Sequence, residues 1–377
     1  MVAHRGVVCQ RGGGGRILCM SVVRPIAVLT LVLAFACAAN ADDSLQWSGF
    51  ALLRGASSVD AGPLRQEQLS TQVQLGLDWL HSPVLGAHVH LLARDDNGHS
   101  KASRRGTLGV AEAYVEMNLT PGSDRVRLRG GAMFLPTSRE NIDALWENPY
   151  TITSSALNSW LGEELRPIGI DASWFRRGLF AGTTVFRGND TFGALPAARG
   201  WSLDDHWTLL GERVPVDPDY VTSVSAENDD RLGWSARGGW NGPHLLVQLT
   251  HIDNRSDGRE YGELFNWGTD FDIVAVEYTV NDWTIAAESG WGPTFLIVDQ
   301  KYTDDLRASY LLVSRAWSRS RASLRFDDFA VDDDGQQAWT FAYLWTPVSK
   351  LRVGAEVATT GGERRVLVEL RYRFSAQ

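Results

Sequence analysis

From residue 44 to the C-terminus the chain repeats one unit about sixteen times: a segment of 10–14 residues in which every second side chain is apolar. The gaps between segments alternate, short then long, until the last two. A tilted β-strand of that length and period crosses a bilayer with one face on lipid and one on water. The alternation of gaps assigns one set of turns to the periplasm and the other to the outside. A water-soluble β-protein has no reason to sort its connections this way.

The segments are 44–56, 67–80, 84–94, 107–119, 124–134, 165–175, 178–187, 230–240, 244–253, 270–280, 282–291, 305–316, 320–330, 336–346, 350–359 and 364–374. In the second, Leu69, Thr71, Val73, Leu75, Leu77 and Trp79 point one way and Ser70, Gln72, Gln74, Gly76 and Asp78 the other. The fourth sets Ala111, Ala113, Val115, Met117 and Leu119 against Glu112, Tyr114, Glu116 and Asn118. The short gaps carry turn chemistry, as in His81-Ser82-Pro83, Thr120 to Ser123 and Asn241-Gly242-Pro243. The long ones are 57–66, 95–106, 135–164, 188–229, 254–269 and 292–304. The expected fold is an all-β, transmembrane antiparallel barrel of about 16 strands, with both termini on the periplasmic side.

Residues 1–41 stand apart from this pattern. Met20 opens a secretory signal: Arg24 as the charged region, an apolar run from Ile26 to Ala36, and Ala39-Asn40-Ala41 as the cleavage site. The division expected is 1–19 as an upstream extension, 20–41 as signal peptide and 42–377 as the barrel. All three cysteines (Cys9, Cys19 and Cys37) fall in the leader, so the remaining 336 residues hold no disulfide and no thiolate metal site. Four arginines fall there too, taking the formal charge from −9 to −13, which argues against nucleic acid. No transmembrane helix is expected, since no run of about 18 apolar residues remains.

Tryptophans collect at strand ends. Trp47, Trp79, Trp174, Trp240, Trp283, Trp317 and Trp345 lie beside short turns or the N-terminus, with Tyr372 and Phe374. That forms an aromatic girdle at one interface, and Trp234, Trp291 and Trp339 form a sparser one nearer the outside.

With these features the chain resembles the sixteen-stranded Gram-negative porins: signal peptide, cysteine-free barrel, final strand Val366 to Phe374 and a long third outer loop. A fainter likeness to phosphate-selective porins lies around Ala111 to Glu116. The resemblance implies an outer-membrane location, passive diffusion of small hydrophilic solutes or ions, and a possible homotrimer. It also implies recognition of the last strand by the barrel-assembly machinery, although Ser375, Ala376 and Gln377 follow the aromatic on which family members usually end.

The third outer loop, LPTSRENIDALWENPYTITSSALNSWLGEE from Leu135 to Glu164, is the leading functional candidate. A helical patch is expected near Arg139–Trp146. By resemblance the loop folds into the barrel and narrows the pore. Physically, a 30-residue loop with several apolar side chains must bury them somewhere, and the lumen wall is available. Arg139, Glu140, Asp143, Glu147, Glu163 and Glu164 are then the charges facing the channel. The alternative is a loop packed over the mouth or into a neighbouring subunit.

Strand five carries Arg125, Arg127 and Arg129 on one face. With Thr120 to Ser123 as the turn, Glu116 is expected opposite Arg127 and Tyr114 opposite Arg129, making Arg127 structural and Arg129 the freer pore residue. In the last hairpin Arg352 is expected opposite Arg371 and Lys350 opposite Arg373. Like charges so placed require counter-anions, acids from a neighbouring strand or a functional basic patch. Asp95-Asp96, Asp204-Asp205, Asp229-Asp230, Asp304-Asp305 and Asp332 to Asp334 lie in or beside connections assigned to the outside. They are either a solvated face or groups that attract cations, including divalent ions bridging to lipopolysaccharide.

Enzyme signatures are absent: no Gly-x-Ser-x-Gly, no His-Glu-x-x-His, no phosphate-binding glycine loop and no Cys/His cluster. No catalytic residue, metal or cofactor is therefore expected, and His88 and His90 read as polar wall residues. The reading is a porin. The alternatives are an outer-membrane barrel enzyme of lipase type, a closed barrel whose outer loops bind a surface partner, and a soluble glycan-binding β-protein.

Overall fold

The computed structural model describes residues 7–11, 17–21, 44–58, 67–94, 108–142, 144–215, 221–262 and 264–376. The cleavage site near Ala41, Asp95-Asp96 and Asp143 lie outside the described residues.

Sixteen antiparallel strands close into one barrel. In chain order they are β1 (Ser44–Ser58), β2 (Glu67–Leu80), β3 (Leu85–Arg94), β4 (Leu108–Leu119), β5 (Arg125–Ala132), β6 (Ile168–Arg176), β7 (Leu179–Arg187) and β8 (Gly233–Asn241). They continue as β9 (Leu245–Asp253), β10 (Gly268–Val280), β11 (Trp283–Ile297), β12 (Lys301–Trp317), β13 (Ser320–Val331), β14 (Asp334–Val348), β15 (Leu351–Thr360) and β16 (Glu363–Ala376). Each pairs with its sequence neighbour, and β16 pairs with β1 to close the ring. All sixteen expected segments are strands. A separate hairpin, Val7–Arg11 with Ile17–Ser21, lies outside the barrel sheet.

Period-2 alternation decides the two faces. On β13, Leu324 and Phe326 face out, whereas Arg325 and Asp327 are fully buried on the inner side. Leu249, Leu311, Phe341 and Val368 project from the outer face. Trp47, Trp240, Trp283, Trp317, Trp345 and Tyr372 stand exposed at the short-turn rim, with Trp291 and Trp339 exposed toward the other.

Three local expectations are corrected. The long connection expected at 292–304 is mostly strand: β11 and β12 run on to Ile297 and from Lys301, leaving only 298–300 between them. Asp304, expected in the connection, therefore sits in β12 together with Asp305. On β4 a bulge opposite His90/Leu91 breaks the alternation. It turns Ala111 inward, where it packs with Leu92, Phe134, Trp207 and Leu209. At the β4–β5 turn the register is two residues looser than expected, with Leu119 opposite Val126. Pro121 has no N–H for the ladder, and the Asp124 N–H closes the turn on its carbonyl instead.

The expected helical patch at Arg139–Trp146 is only a three-residue turn, Ala144–Trp146, with Leu145 at φ 61. The helix of this segment is α1 (Ala156–Glu164), whose N-cap Ser155 side chain accepts from the Asn158 N–H. A second, short helix, α2 (Ala194–Arg199), follows Gly193, whose φ of 104 is a left-handed conformation. A Cβ there would lie 2.3 Å from the Thr269 and Thr294 hydroxyls. Leu157, Trp160 and Leu161 of α1 pack with Phe192 and Leu195 around α2 and with Phe271, Ile273, Leu306 and Ala308 of the wall. The Trp160 and Phe192 rings stack at 4.6 Å, worth roughly 0.5–1.5 kcal/mol beyond the area buried.

Candidate functional site: the barrel interior and the 135–164 segment

Residues 135–164 bond to the inward face of strand after strand. The Pro136 carbonyl accepts from Gln248 on β9 at 2.7 Å, and Arg139 Nε donates to Glu277 on β10 at 3.2 Å. The Arg139 backbone N–H and the Ser138 hydroxyl donate to Glu288 on β11, which also accepts from Tyr310 on β12 at 2.9 Å. The Ile152 and Thr153 amides converge on Glu356 of β15, at 2.6 and 3.2 Å. Trp146 Nε1 donates to Glu112 of β4 at 2.7 Å. Leu145 packs with Phe50 and Leu52 of β1.

Arg325 is the hub. Its Nε donates to Asp327 at 2.8 Å, and its two amino groups reach Glu140 at 2.8 Å, the Thr153 carbonyl at 2.7 Å and the Ser154 carbonyl at 2.9 Å. Burying this guanidinium completely is tolerable because its donors are met by acids, carbonyls and threonine hydroxyls. Glu140, expected to face a channel, is therefore a buried partner of Arg325. Glu112 is likewise buried, accepting from the Phe134 amide and from Trp146.

Of the β5 arginines, Arg127 and Arg129 lie near acids, whereas Arg125 is exposed over the Phe175 ring. Arg129 lies opposite Glu116 in register, yet its side chain pairs with Asp171 of β6 at 3.3 Å and lies 5.2 Å over the Tyr114 ring. Asp171 also binds Arg237 of β8 at 2.7 Å. Arg127 lies opposite Asn118, not Glu116, and comes within 4.0 Å of Glu116 diagonally. The expectation that Arg129 is the freer of the two is thus reversed: Arg129 is 6 % exposed and tied to a carboxylate. Tyr114 stacks on His88, which bonds Asp78 at 2.7 Å, while His90 bonds Gln74 at 2.8 Å.

The last hairpin pairs Arg352 with Arg371, as expected. The charge is compensated by Glu369 of β16, which binds Arg352 at 3.0 Å, Arg371 at 2.9 Å and Arg54 of β1 at 2.6 Å. Glu147 from the 135–164 segment takes Arg371 and, at 3.2 Å, Arg373. Lys350 stays exposed in the turn beneath them.

The fourth long connection, 188–229, also turns inward. Asp205 pairs with Arg54 at 2.5 Å and Glu212 with Arg94 at 2.7 Å, so Asp204-Asp205 belong to this packing and not to an acidic mouth. Burial raises the Glu212 carboxyl, but His206 and Arg94 outweigh it and hold the group at about 2. Arg166, fully buried, ties the two connections together. It donates to the Gly162 carbonyl at 2.8 Å and the Thr208 carbonyl at 3.0 Å, with its guanidinium 3.5 Å over the Phe134 ring. Glu164 accepts the Gly193 and Leu195 amides at 2.9 and 3.1 Å, and burial pushes it up to about 7 against these bonds. Glu163 pairs with Arg199. Asp190, Glu227 and Asp229 bring carboxylate oxygens within 4.8 Å of one another.

Open space within the barrel is unevenly divided. Between Phe50, Gln72 and Gln74 of the wall, Trp146 and Glu147 of the third loop, and Asp205 and Trp207 of the fourth, the cavity is about 10 Å³. That is room for roughly one water. On the short-turn side two recesses of about 460 and 510 Å³ adjoin, sharing Ser349 and Arg373.

Arg54, Asp171, Arg237, Arg319, Arg321, Arg325 and Glu369 were not singled out from sequence. On the strands the signal was present, since a charged residue at inward parity such as Arg325, between outward Leu324 and Phe326, is bound to find a partner inside.

No protein-family model matches the sequence, and no curated protein matches it. Solved structures do. In-vitro folded OmpT of Vibrio cholerae, an outer membrane protein in its trimer form, superimposes with a TM-score of 0.57 at 10 % identity, covering 88 % of this chain and 99 % of that one. The anion-selective porin from Comamonas acidovorans gives 0.55 at 13 %, covering 88 % and 100 %. Salmonella typhi OmpF, in complex with daunomycin, gives 0.57 at 11 %, covering 88 % and 97 %. The fold is that of the Gram-negative outer-membrane porins, sixteen strands included. At these identities the likeness establishes the fold alone.

Proposed function

We propose that the chain is an outer-membrane channel passing small hydrophilic solutes through its lumen, with the 135–164 segment folded inside as the constriction. The supporting observation is the ring of bonds from that segment to β4, β9, β10, β11, β13, β15 and β16. Strands on opposite sides of a closed barrel are within reach of one loop only from inside. In this reading the passage runs past Gln72, Gln74, Glu147 and Arg371, where the open volume is about 10 Å³, so anything larger than water passes there only if the Trp146–Glu147 stretch moves aside. By analogy with the trimer form of Vibrio cholerae OmpT, the working unit is a homotrimer in the outer membrane, delivered there by the 20–41 signal and in contact with lipopolysaccharide.

The same narrow gap favours a second reading, a closed barrel whose outer loops bind a surface partner. Planar-bilayer recording separates them. The channel reading expects single-channel steps that grow when residues within 139–160 are deleted. Conductance unchanged by the deletion removes the segment as constriction, and no conductance with or without it supports the closed barrel.

A further inference from the structure

The recess of about 510 Å³ at the short-turn end has an unusual lining: four arginines (Arg319, Arg321, Arg352 and Arg373), and no carboxylate among the described residues. Elsewhere inside this barrel Arg54, Arg94, Arg129, Arg237 and Arg325 pair with acids, whereas the buried Arg166 is met by carbonyls. Here Arg319 donates only to the Pro347 carbonyl at 2.7 Å. Arg321 donates to the Ser314 hydroxyl at 2.8 Å and lies 5.1 Å over Tyr150. Among the described residues neither makes an ion pair. Arg352, 4 % exposed, leaves its Nε proton buried without a partner, although its Nη2 reaches Glu369. The adjoining recess adds Lys350 and a single acid, Glu147, which Arg371 and Arg373 already share.

Five cations, one acid and Ser349, which lines both, thus border two adjoining spaces walled by low-dielectric protein. Such an arrangement focuses positive potential into the recess and raises the local concentration of anions. Guanidinium groups present paired donors whose spacing matches a phosphate or carboxylate edge, and hydroxyls complete the coordination of a tetrahedral oxyanion. Arg319 and Arg321 face the recess without an acid of the protein's own, and Arg352, although paired with Glu369, keeps one buried N–H without a partner.

We infer that this recess is an oxyanion-binding site on the periplasmic side of the constriction, taking a phosphate group either as the free ion or on a small organic solute. The inference names a solute class for the proposed channel and rests on that reading for transport, though not for binding.

The test uses the full chain folded in detergent micelles, titrated calorimetrically with inorganic phosphate, alongside the Arg319→Ser/Arg321→Ser double variant. Both are checked for the heat-modifiable folded band. Saturable binding by the native protein, weakened at least about tenfold in the variant, is the expected result. A second variant, Arg321→Lys, keeps the charge but loses the fork, and its affinity should fall between the two. In bilayers under a KCl gradient, the double variant should shift the reversal potential toward cations, and phosphate should reduce the native current. Competition by glucose 6-phosphate but not by glucose assigns the site to organic phosphates as well, and competition by neither confines it to the free ion. No phosphate binding by folded native protein, or equal binding by the double variant, overturns the site even if the barrel conducts. Arginine-dependent binding without any current leaves the site standing and removes the channel.

Discussion

Two arginines four residues apart on one strand region, Arg321 and Arg325, summarise how unlike the two halves of the barrel interior are. Arg325 meets Asp327, Glu140, two loop carbonyls and a loop hydroxyl, and no water reaches it. Arg321 has one serine, one aromatic face and an open recess. The outer half is filled by two long connections whose helices bring an apolar core of their own. The half at the short-turn rim stays open because the seven turns there are too short to enter it. The difference teaches that charge of one kind can be structural or available according to what the connections deliver to it.

The largest effect that can break this contrast is expected at Arg325. Arg325→Met leaves Glu140 and Asp327 buried without their cation, costing about 3–5 kcal/mol. A urea or guanidinium midpoint for the lipid-folded protein that stays at the native value would show the outer half to be less tightly packed than described.

A smaller effect is expected at Glu164. Its folded-state value of about 7 lies above the ordinary 4.5, so the native state holds a proton that the unfolded chain has released. Stability from this group is present below about 4.5 and is lost as pH rises to about 7. Glu164→Gln should flatten that part of the stability–pH curve, and a variant curve parallel to the native one would count against the buried environment of Glu164.

The smallest effect is expected in the open half. Arg319→Ser should change the unfolding midpoint by no more than about 0.5 kcal/mol, because the side chain is exposed and makes one bond to a carbonyl. A loss comparable to that at Arg325 would mean that the recess arginines are structural and the two halves alike.

Much of the barrel was legible in the sequence because its information is local. Alternation with a period of two marks strands, faces and the aromatic rim, and hairpin pairing follows chain order, which is why Arg352 opposite Arg371 could be read directly. Where a local irregularity enters, the reading slips. The widened Thr120–Asp124 turn moved Glu116 from Arg127 to Arg129 in register, and one bulge turned Ala111 inward.

Most of the site was not legible, for a different reason. Glu140 meets Arg325 across 185 positions, Glu147 meets Arg371 across 224 and Arg54 meets Glu369 across 315. No periodicity encodes such pairs, since they depend on how two long connections fold against a wall formed by distant strands. By itself the sequence determined that the chain closes into a sixteen-stranded barrel with a lipid face and an aqueous face, because both follow from alternation along each strand. Only the tertiary structure decided which inward arginines are neutralised and which face open space. That depends on the carboxylates the third and fourth outer connections bring inside, a matter of long-range packing and desolvation.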